Sequence, residues 1–230
     1  IIQRTPANGV LDFWNNVTLI GNISSVLCSR PEPEPEPYDG LIFTAQEANS
    51  SVTLNETSAS TAELQLEYRT NTNTNWQNYT LGTTINLANI DDWVEMRNQG
   101  LQTNIDGNHQ FVMAGKIAAS GNIQYLLDKT GELLSVSDGC YNQMFRECAS
   151  LTTAPSLPAT TLADYCYYGM FYNCTNLKVN ENGSGTKIFT CPDTSAITDS
   201  TIASSVIQMF DGTGGTFTGT PTTGNTYNWY

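Results

Sequence analysis

Between Tyr38 and about Met113 the apolar positions recur with a period of two. Leu64, Leu66 and Tyr68 alternate with Gln65, Glu67 and Arg69, a rhythm that turns one face of an extended chain toward a core and the other toward water. Residues 41–43, 51–54, 76–80, 84–87, 93–97 and 110–113 read as further short strands, and Asn71-Thr72-Asn73-Thr74-Asn75 as a turn. Strands this short and closely spaced predict a small antiparallel β-sandwich over residues 38–125. It is expected to be immunoglobulin-like in shape, although no Cys…Trp…Cys pattern is present. Trp76, Tyr79 and Trp93 are expected in its core rather than on a sugar-binding platform.

Two apolar runs come earlier, at residues 10–14 and 17–20, with Gly21-Asn22 after them as a hairpin signal. A segment of thirty residues cannot bury Phe13, Trp14, Leu19 and Ile20 by itself. Residues 1–30 therefore read as an N-terminal β anchor segment that pairs with other subunits of an assembly, the alternative being that it folds back on the rest of the chain. Residues 31–37, Pro-Glu-Pro-Glu-Pro-Glu-Pro, form a linker. Alternate prolines fix φ and the glutamates repel one another, so the segment favours an extended polyproline II spacer of roughly 22 Å.

The pattern changes over residues 126–230. Cys140-Tyr141-Asn142-Gln143-Met144-Phe145-Arg146-Glu147-Cys148-Ala149-Ser150-Leu151 is matched by Cys166-Tyr167-Tyr168-Gly169-Met170-Phe171-Tyr172-Asn173-Cys174-Thr175-Asn176-Leu177, with Cys166 placed 26 residues after Cys140. That period lies in the ~20–29 residue range of leucine-rich repeats, in which each turn buries its apolar face on the next. The predicted repeat core is Cys140, Met144, Phe145, Cys148 and Leu151 in the first unit and Cys166, Met170, Phe171, Cys174 and Leu177 in the second. Residues 141–145 suit a short helical turn and 151–162 a strand-like, proline-punctuated connection.

A worn third unit lies around Val206-Ile207-Gln208-Met209-Phe210. So few turns form only a short solenoid, which must lean on the β domain and on a C-terminal cap built from Ile188, Phe189, Met209, Phe210, Phe217 and Trp229. The four repeat cysteines admit a buried free-thiol ladder, disulfides or a metal site, though Cys-x7-Cys does not match common zinc pairs.

The two units, together with Leu151-Thr152-Thr153-Ala154-Pro155 and Leu157-Pro158-Ala159-Thr160-Thr161-Leu162 between them, resemble the BspA-like leucine-rich repeats of surface proteins of gut bacteria and of their phages. The stretches Leu66-Glu67-Tyr68, residues 79–85 and residues 111–123 resemble the β-rich domain that precedes such repeats. The resemblance covers roughly residues 40–230. It implies adhesion or recognition without catalytic residues, and the short repeat puts an extended concave binding surface in doubt.

Composition narrows the partners. The chain carries 22 acidic and 9 basic side chains, a formal charge of −13, which argues against nucleic acid. Its polarity comes from Thr, Asn and Ser, as suits a secreted or virion β protein. No apolar run is long enough to span a membrane, and a start at Ile1 rather than Met implies an upstream piece.

Catalytic signatures are sparse. The single His109 is expected in a loop or at the surface, and neither Gly-x-Ser-x-Gly nor a phosphate-binding glycine loop occurs. Asp91-Asp92, Asp106-Gly107-Asn108 and Asp211-Gly212-Thr213-Gly214-Gly215 read as turns. A Glu95/Glu147 pair as glycosidase acids is the distant enzyme alternative, a carbohydrate-active one.

The chain is therefore expected to be mainly β and non-enzymatic, with no cofactor. It reads as a phage fibre or decoration protein on a virion surface, attached to other virion subunits through residues 1–30. Its display domains would meet a host-surface protein or glycan, and a homo-oligomer is compatible with this. The alternative is a bacterial cell-surface adhesin.

Overall fold

Side-chain alternation builds the first half of the described chain. In β1 (Leu41–Ala45) Ile42 is buried in addition to the alternating Leu41, Phe43 and Ala45, and in β2 (Ser50–Glu56) every second residue is buried. The same holds in β5 (Thr84–Leu87), and the rhythm is broken in β6 (Trp93–Asn98), where Glu95 is buried as well. A computed structural model describes residues 40–58, 64–100, 105, 107–181, 187–192 and 204–229, all within one unit, Pro37–Tyr230. The anchor residues Phe13, Trp14, Leu19 and Ile20 and the linker 31–37 lie outside the described residues, as do Asp106 and the rest of the 1–30 docking segment.

The protein is mainly β, with several sheets and almost no helix among the described residues. A six-stranded sheet runs β4 (Asn73–Asn78), β3 (Leu66–Thr70), β6, β1, β8 (Ile117–Gly121), β9 (Leu151–Thr153); only β8 and β9 pair in parallel. A three-stranded antiparallel sheet runs β5, β2, β7 (His109–Ala114). The apolar faces of these two sheets meet, with Phe43 of β1 and Phe111 of β7 at 4.8 Å between ring centroids.

Two strands depart from the sequence reading. The turn after β3 shrinks to Asn71-Thr72, because a register shift between Tyr68 and Thr70 lets β4 begin at Asn73. β8, with Ala118, Ala119, Ser120 and Gly121, has little intrinsic strand preference; pairing with β1 and β9 on its two sides makes it a strand.

The expectation for the aromatics needs correction. Tyr79 is in the core, where its hydroxyl accepts from the Leu54 amide at 2.8 Å and donates to the Thr83 carbonyl at 2.7 Å. Trp76 lies instead on the outer face of the six-stranded sheet, with the Arg97 and Arg69 guanidinium carbons 3.8 and 4.8 Å from its ring centroid. Trp93, half-buried, shares the side of β6 that bears Glu95 and Arg97. Directly opposed cross-strand pairs, Arg69 with Glu95 and Glu67 with Arg97, hold that face; their Nε–Oε distances are 2.6 and 2.7 Å.

His109 also differs from expectation. It opens β7 opposite Glu56 and is buried, because alternation along β7 puts it on the same side as Phe111.

After a 3-10 helix, Ile123–Leu126, the chain turns into stacked coils. Residues 139–148 lie against 164–174, and these against 204–213. The Tyr141, Gln143, Phe145 and Glu147 amides donate to the carbonyls of Cys166, Tyr168, Met170 and Tyr172. The Tyr167, Gly169, Phe171 and Asn173 amides donate likewise to Ser205, Ile207, Met209 and Asp211. The intervening amides, such as those of Asn142, Met144 and Arg146, bond three residues back within their own coil.

The predicted helical turn over 141–145 is not formed, since Gln143 has φ 57° and Glu147 φ 62°. Left-handed residues every fourth position (Gly139, Gln143, Glu147; Tyr165, Gly169, Asn173; Gln208, Gly212) stop a right-handed helix from propagating.

One continuous apolar cluster runs from Leu41 to Trp229. Its spine is a column of near-parallel phenyl rings, Phe111, Phe145, Phe171 and Phe210, with successive centroids 5.0, 5.4 and 5.8 Å apart. Such contacts contribute roughly 0.5–1.5 kcal/mol per pair beyond simple burial.

The far end is covered by a four-stranded sheet, β11 (Lys187–Thr190), β13 (Thr226–Trp229), β10 (Lys178–Glu181), β12 (Gly214–Gly215). It places Phe189, Tyr227 and Trp229 around Phe210. The Trp229 indole donates to the Ala154 carbonyl at 2.8 Å.

Candidate functional site

Each coil alternates two buried residues with two outward ones. In the first, Cys140-Tyr141 and Met144-Phe145 point inward, while Asp138-Gly139, Asn142-Gln143 and Arg146-Glu147 point outward. The second coil sets Asp164-Tyr165, Tyr168 followed by a covered Gly169, and Tyr172-Asn173 beneath them; the third sets Ser204, Ile207-Gln208 and Asp211-Gly212. Stacking by backbone hydrogen bonds spaces such rows about 4.8 Å apart. The result is a ruled outer face whose side chains differ from coil to coil at most positions.

All ten predicted repeat-core residues are buried: Cys140, Met144, Phe145, Cys148 and Leu151 in the first unit, Cys166, Met170, Phe171, Cys174 and Leu177 in the second. The four cysteines, and Cys191, are free thiols. Cys148 Sγ donates to the Phe111 carbonyl at 3.1 Å and Cys174 Sγ to the Phe145 carbonyl at 2.9 Å. Burial pushes Cys140 up to about 11 and Cys148 and Cys166 to about 12, with Cys174 well above its ordinary value. These thiols are kept protonated, the opposite of what a nucleophile or metal ligand needs. No group of three or more His, Cys, Asp or Glu side chains suited to a metal occurs among the described residues.

The coils end differently on their two sides. At the first coil, the Phe111 amide donates to the Met144 carbonyl at 2.8 Å and Gln110 Nε2 to the Arg146 carbonyl at 2.7 Å. At the third, the amides that would face a fourth coil are taken. Phe210 N bonds the Gly219 carbonyl at 3.0 Å, Gln208 N the Thr220 hydroxyl at 2.9 Å and Gly212 N the Thr218 hydroxyl at 2.9 Å. With both ends occupied, the outward rows are the surface that the coils offer.

The residues weighed for chemistry are not brought together. Glu95 is sealed in the sheet against Arg69, with Gly40 close over its side chain, whereas Glu147 is exposed in an outward pair and bonded to Arg146 at 3.3 Å. Asp92 caps a turn, accepting from the Asn89 amide at 2.8 Å and from Asn71 Nδ2 at 2.7 Å. These bonds, that from Asn89 first, lower its carboxyl below the usual value. Asp211 begins the third coil's last outward pair.

Sequence reasoning missed the outward rows, although a signal existed. Asp138 and Asp164 stand at the same 26-residue offset as the cysteines, and Asp138 Oδ1 accepts from the Asp164 amide at 3.1 Å. Phe111, which completes the ring column, carries no repeat signature around it.

What these features define is a mainly β protein whose coils present a ruled flank. No family model matches the chain, nor does any curated protein or solved structure.

Proposed function

We propose that this chain is a displayed binding or structural protein without catalytic activity, in which the two facing sheets are a small antiparallel β-sandwich, immunoglobulin-like in shape, and the coils a short BspA-like leucine-rich-repeat solenoid with a C-terminal cap. It acts as a phage fibre or decoration protein, held to the virion by residues 1–30 and projecting residues 38–230 for surface or host attachment.

The observation that supports this reading most is the phenyl column from Phe111 to Phe210. It ties sheets and coils into one core under the outward face of the coils. A preorganised face loses little conformational freedom on binding, which suits display. The buried, protonated thiols suit packing in place of chemistry.

Mass-spectrometric identification of the chain in purified particles, against cell envelopes, tests the reading. Presence in particles, and loss of incorporation when residues 1–30 are removed from an otherwise folded chain, is expected. Recovery from envelopes as a lipidated surface protein would replace the virion reading with the adhesin one.

A further inference from the structure

The inward positions of the coils repeat from one to the next, Met144-Phe145, Met170-Phe171 and Met209-Phe210, whereas most outward positions change. The three outward tyrosines all stand in the middle coil. We propose that Tyr165, Tyr168 and Tyr172, with Asp164 beside them, form the contact surface for a basic protein partner, one that presents arginine or lysine side chains. The proposal rests on the display reading above and names its partner class.

Three observations carry it. Tyr165 is 51% exposed and has φ 54° at the position where the first coil has Gly139, φ 66°. The coil fixes this left-handed backbone whatever the residue, and it carries the exposed Tyr165 ring at a place where the first coil has no side chain. Its ring meets that of Tyr168 edge-on, with centroids 5.9 Å apart, so the pair forms an ordered aromatic corner rather than two loose side chains.

The row already receives a cation: the Arg146 guanidinium carbon lies 4.8 Å from the Tyr172 ring centroid. The electron-rich face of a tyrosine attracts such groups. Between Tyr168 and Tyr172 the backbone of Gly169 is covered by the Gln143 and Tyr172 side chains, where the other two coils carry Gln143 and Gln208, so the tyrosine rings themselves are what this row presents.

Charge selects the partner. The outward rows carry the carboxylates of Asp138, Asp164, Glu147 and Asp211 against the single guanidinium of Arg146, on a chain of net charge −13. Complementary potential steers a basic surface toward this flank, and tyrosine is the residue that protein-binding surfaces use most readily as a rigid contact. A neutral glycan would use the rings but gain nothing from the carboxylates.

The experiment titrates the full chain, isotopically labelled for NMR, with a (Gly-Arg)4 peptide, its uncharged citrulline counterpart and maltohexaose. The expected result is that the arginine peptide shifts the resonances of residues 164–173 and the citrulline peptide does not. Tyr165→Gly, which relaxes the backbone, and Tyr168→Ala should each weaken binding about tenfold, and the Tyr165→Gly melting transition should not fall. Asp164→Asn should weaken it, while Glu56→Gln on the sheet edge should not. Equal affinity in the tyrosine variants would reduce the effect to overall charge and overturn the proposal. So would absence of binding, or maltohexaose shifting the same residues in place of the peptide. A chain found in particles but indifferent to the arginine peptide sinks this inference and leaves the display reading standing.

Discussion

The phenyl ring of Phe111, on a sheet strand, lies 5.0 Å from that of Phe145, in the first coil, and 11° from parallel. The backbone repeats the relationship. Phe111 N bonds the Met144 carbonyl as Phe145 N bonds that of Met170, and the Phe111 carbonyl accepts the Cys148 thiol as that of Phe145 accepts Cys174. A strand of the β domain thus serves as the coil that precedes the first repeat.

If so, sheets and coils unfold together. Phe111→Ala should cost about 3–5 kcal/mol, and urea denaturation followed by tryptophan fluorescence and by circular dichroism should give one coincident transition. Phe111→Ala combined with Phe145→Ala should cost less than the sum of the single changes, with a coupling of about 0.5–1.5 kcal/mol. Two separate transitions, or strict additivity, would show two independent cores.

The thiols set an alkaline limit. Burial raises Cys140 and Cys191 to about 11 and Cys148 and Cys166 to about 12, from an ordinary 9.0. A thiol is neutral when protonated, so above pH 9 the unfolded chain releases protons that the folded chain retains. Stability from these groups is complete below that pH and lost as pH rises toward 11–12. Urea midpoints should hold from about pH 7 to 8.5 and fall by about pH 10.5. At about pH 8 the described cysteines should resist Ellman's reagent until the chain is unfolded.

The left-handed positions are open to relief. Glu147 has φ 62° and an exposed side chain, so Glu147→Gly should stabilise by about 0.5–1 kcal/mol, the steric gain exceeding the extra freedom of the unfolded chain. Gly215→Ala should do the reverse. Gly215 has φ 95°, and an added Cβ would come 2.3 Å from the Val179 carbonyl oxygen and 2.6 Å from its amide nitrogen. A loss of about 2 kcal/mol or more in chemical denaturation is expected, with β12 parting from β10. A destabilised Glu147→Gly protein would count against steric strain in the coils.

The buried ion pair of the sheet gives a fourth test. Glu95 is fully buried and held by Arg69 at 2.6 Å. Arg69→Met strands that charge and should cost about 3–5 kcal/mol, whereas Arg69→Met with Glu95→Met should recover most of the loss. Thermal melts of the two variants and the parent chain at one pH decide it; a double variant no better than the single one would mean that the pair is not what the carboxylate relies on.

Much of this was legible beforehand. Alternation along Leu64–Arg69 announced a strand, and the 26-residue offset of Cys140 and Cys166 announced stacked units with Met and Phe inside, because inward positions must repeat when one coil rests on the next. The helical expectation for 141–145 failed because a two-in, two-out rhythm resembles a helix period while the left-handed residues Gln143 and Glu147 forbid one. His109 and Trp76 were misplaced for a related reason. Alternation tells which residues share a side of a strand, and only the neighbouring strands tell which side is covered.

By itself the amino-acid order determined most strands of the β domain and the inward face of the repeat, since those depend on which side chains avoid water and at what spacing. The tertiary structure alone decided how the coils begin and end. The third coil lies 39 residues after the second, from Cys166 to Ser205, with β10 and β11 in between. Phe111 closes one end with backbone bonds, and Gly219 with the Thr218 and Thr220 hydroxyls closes the other. Backbone amides are carried by almost every residue, so where they find partners leaves no mark in the order of side chains and is settled only when the chain folds.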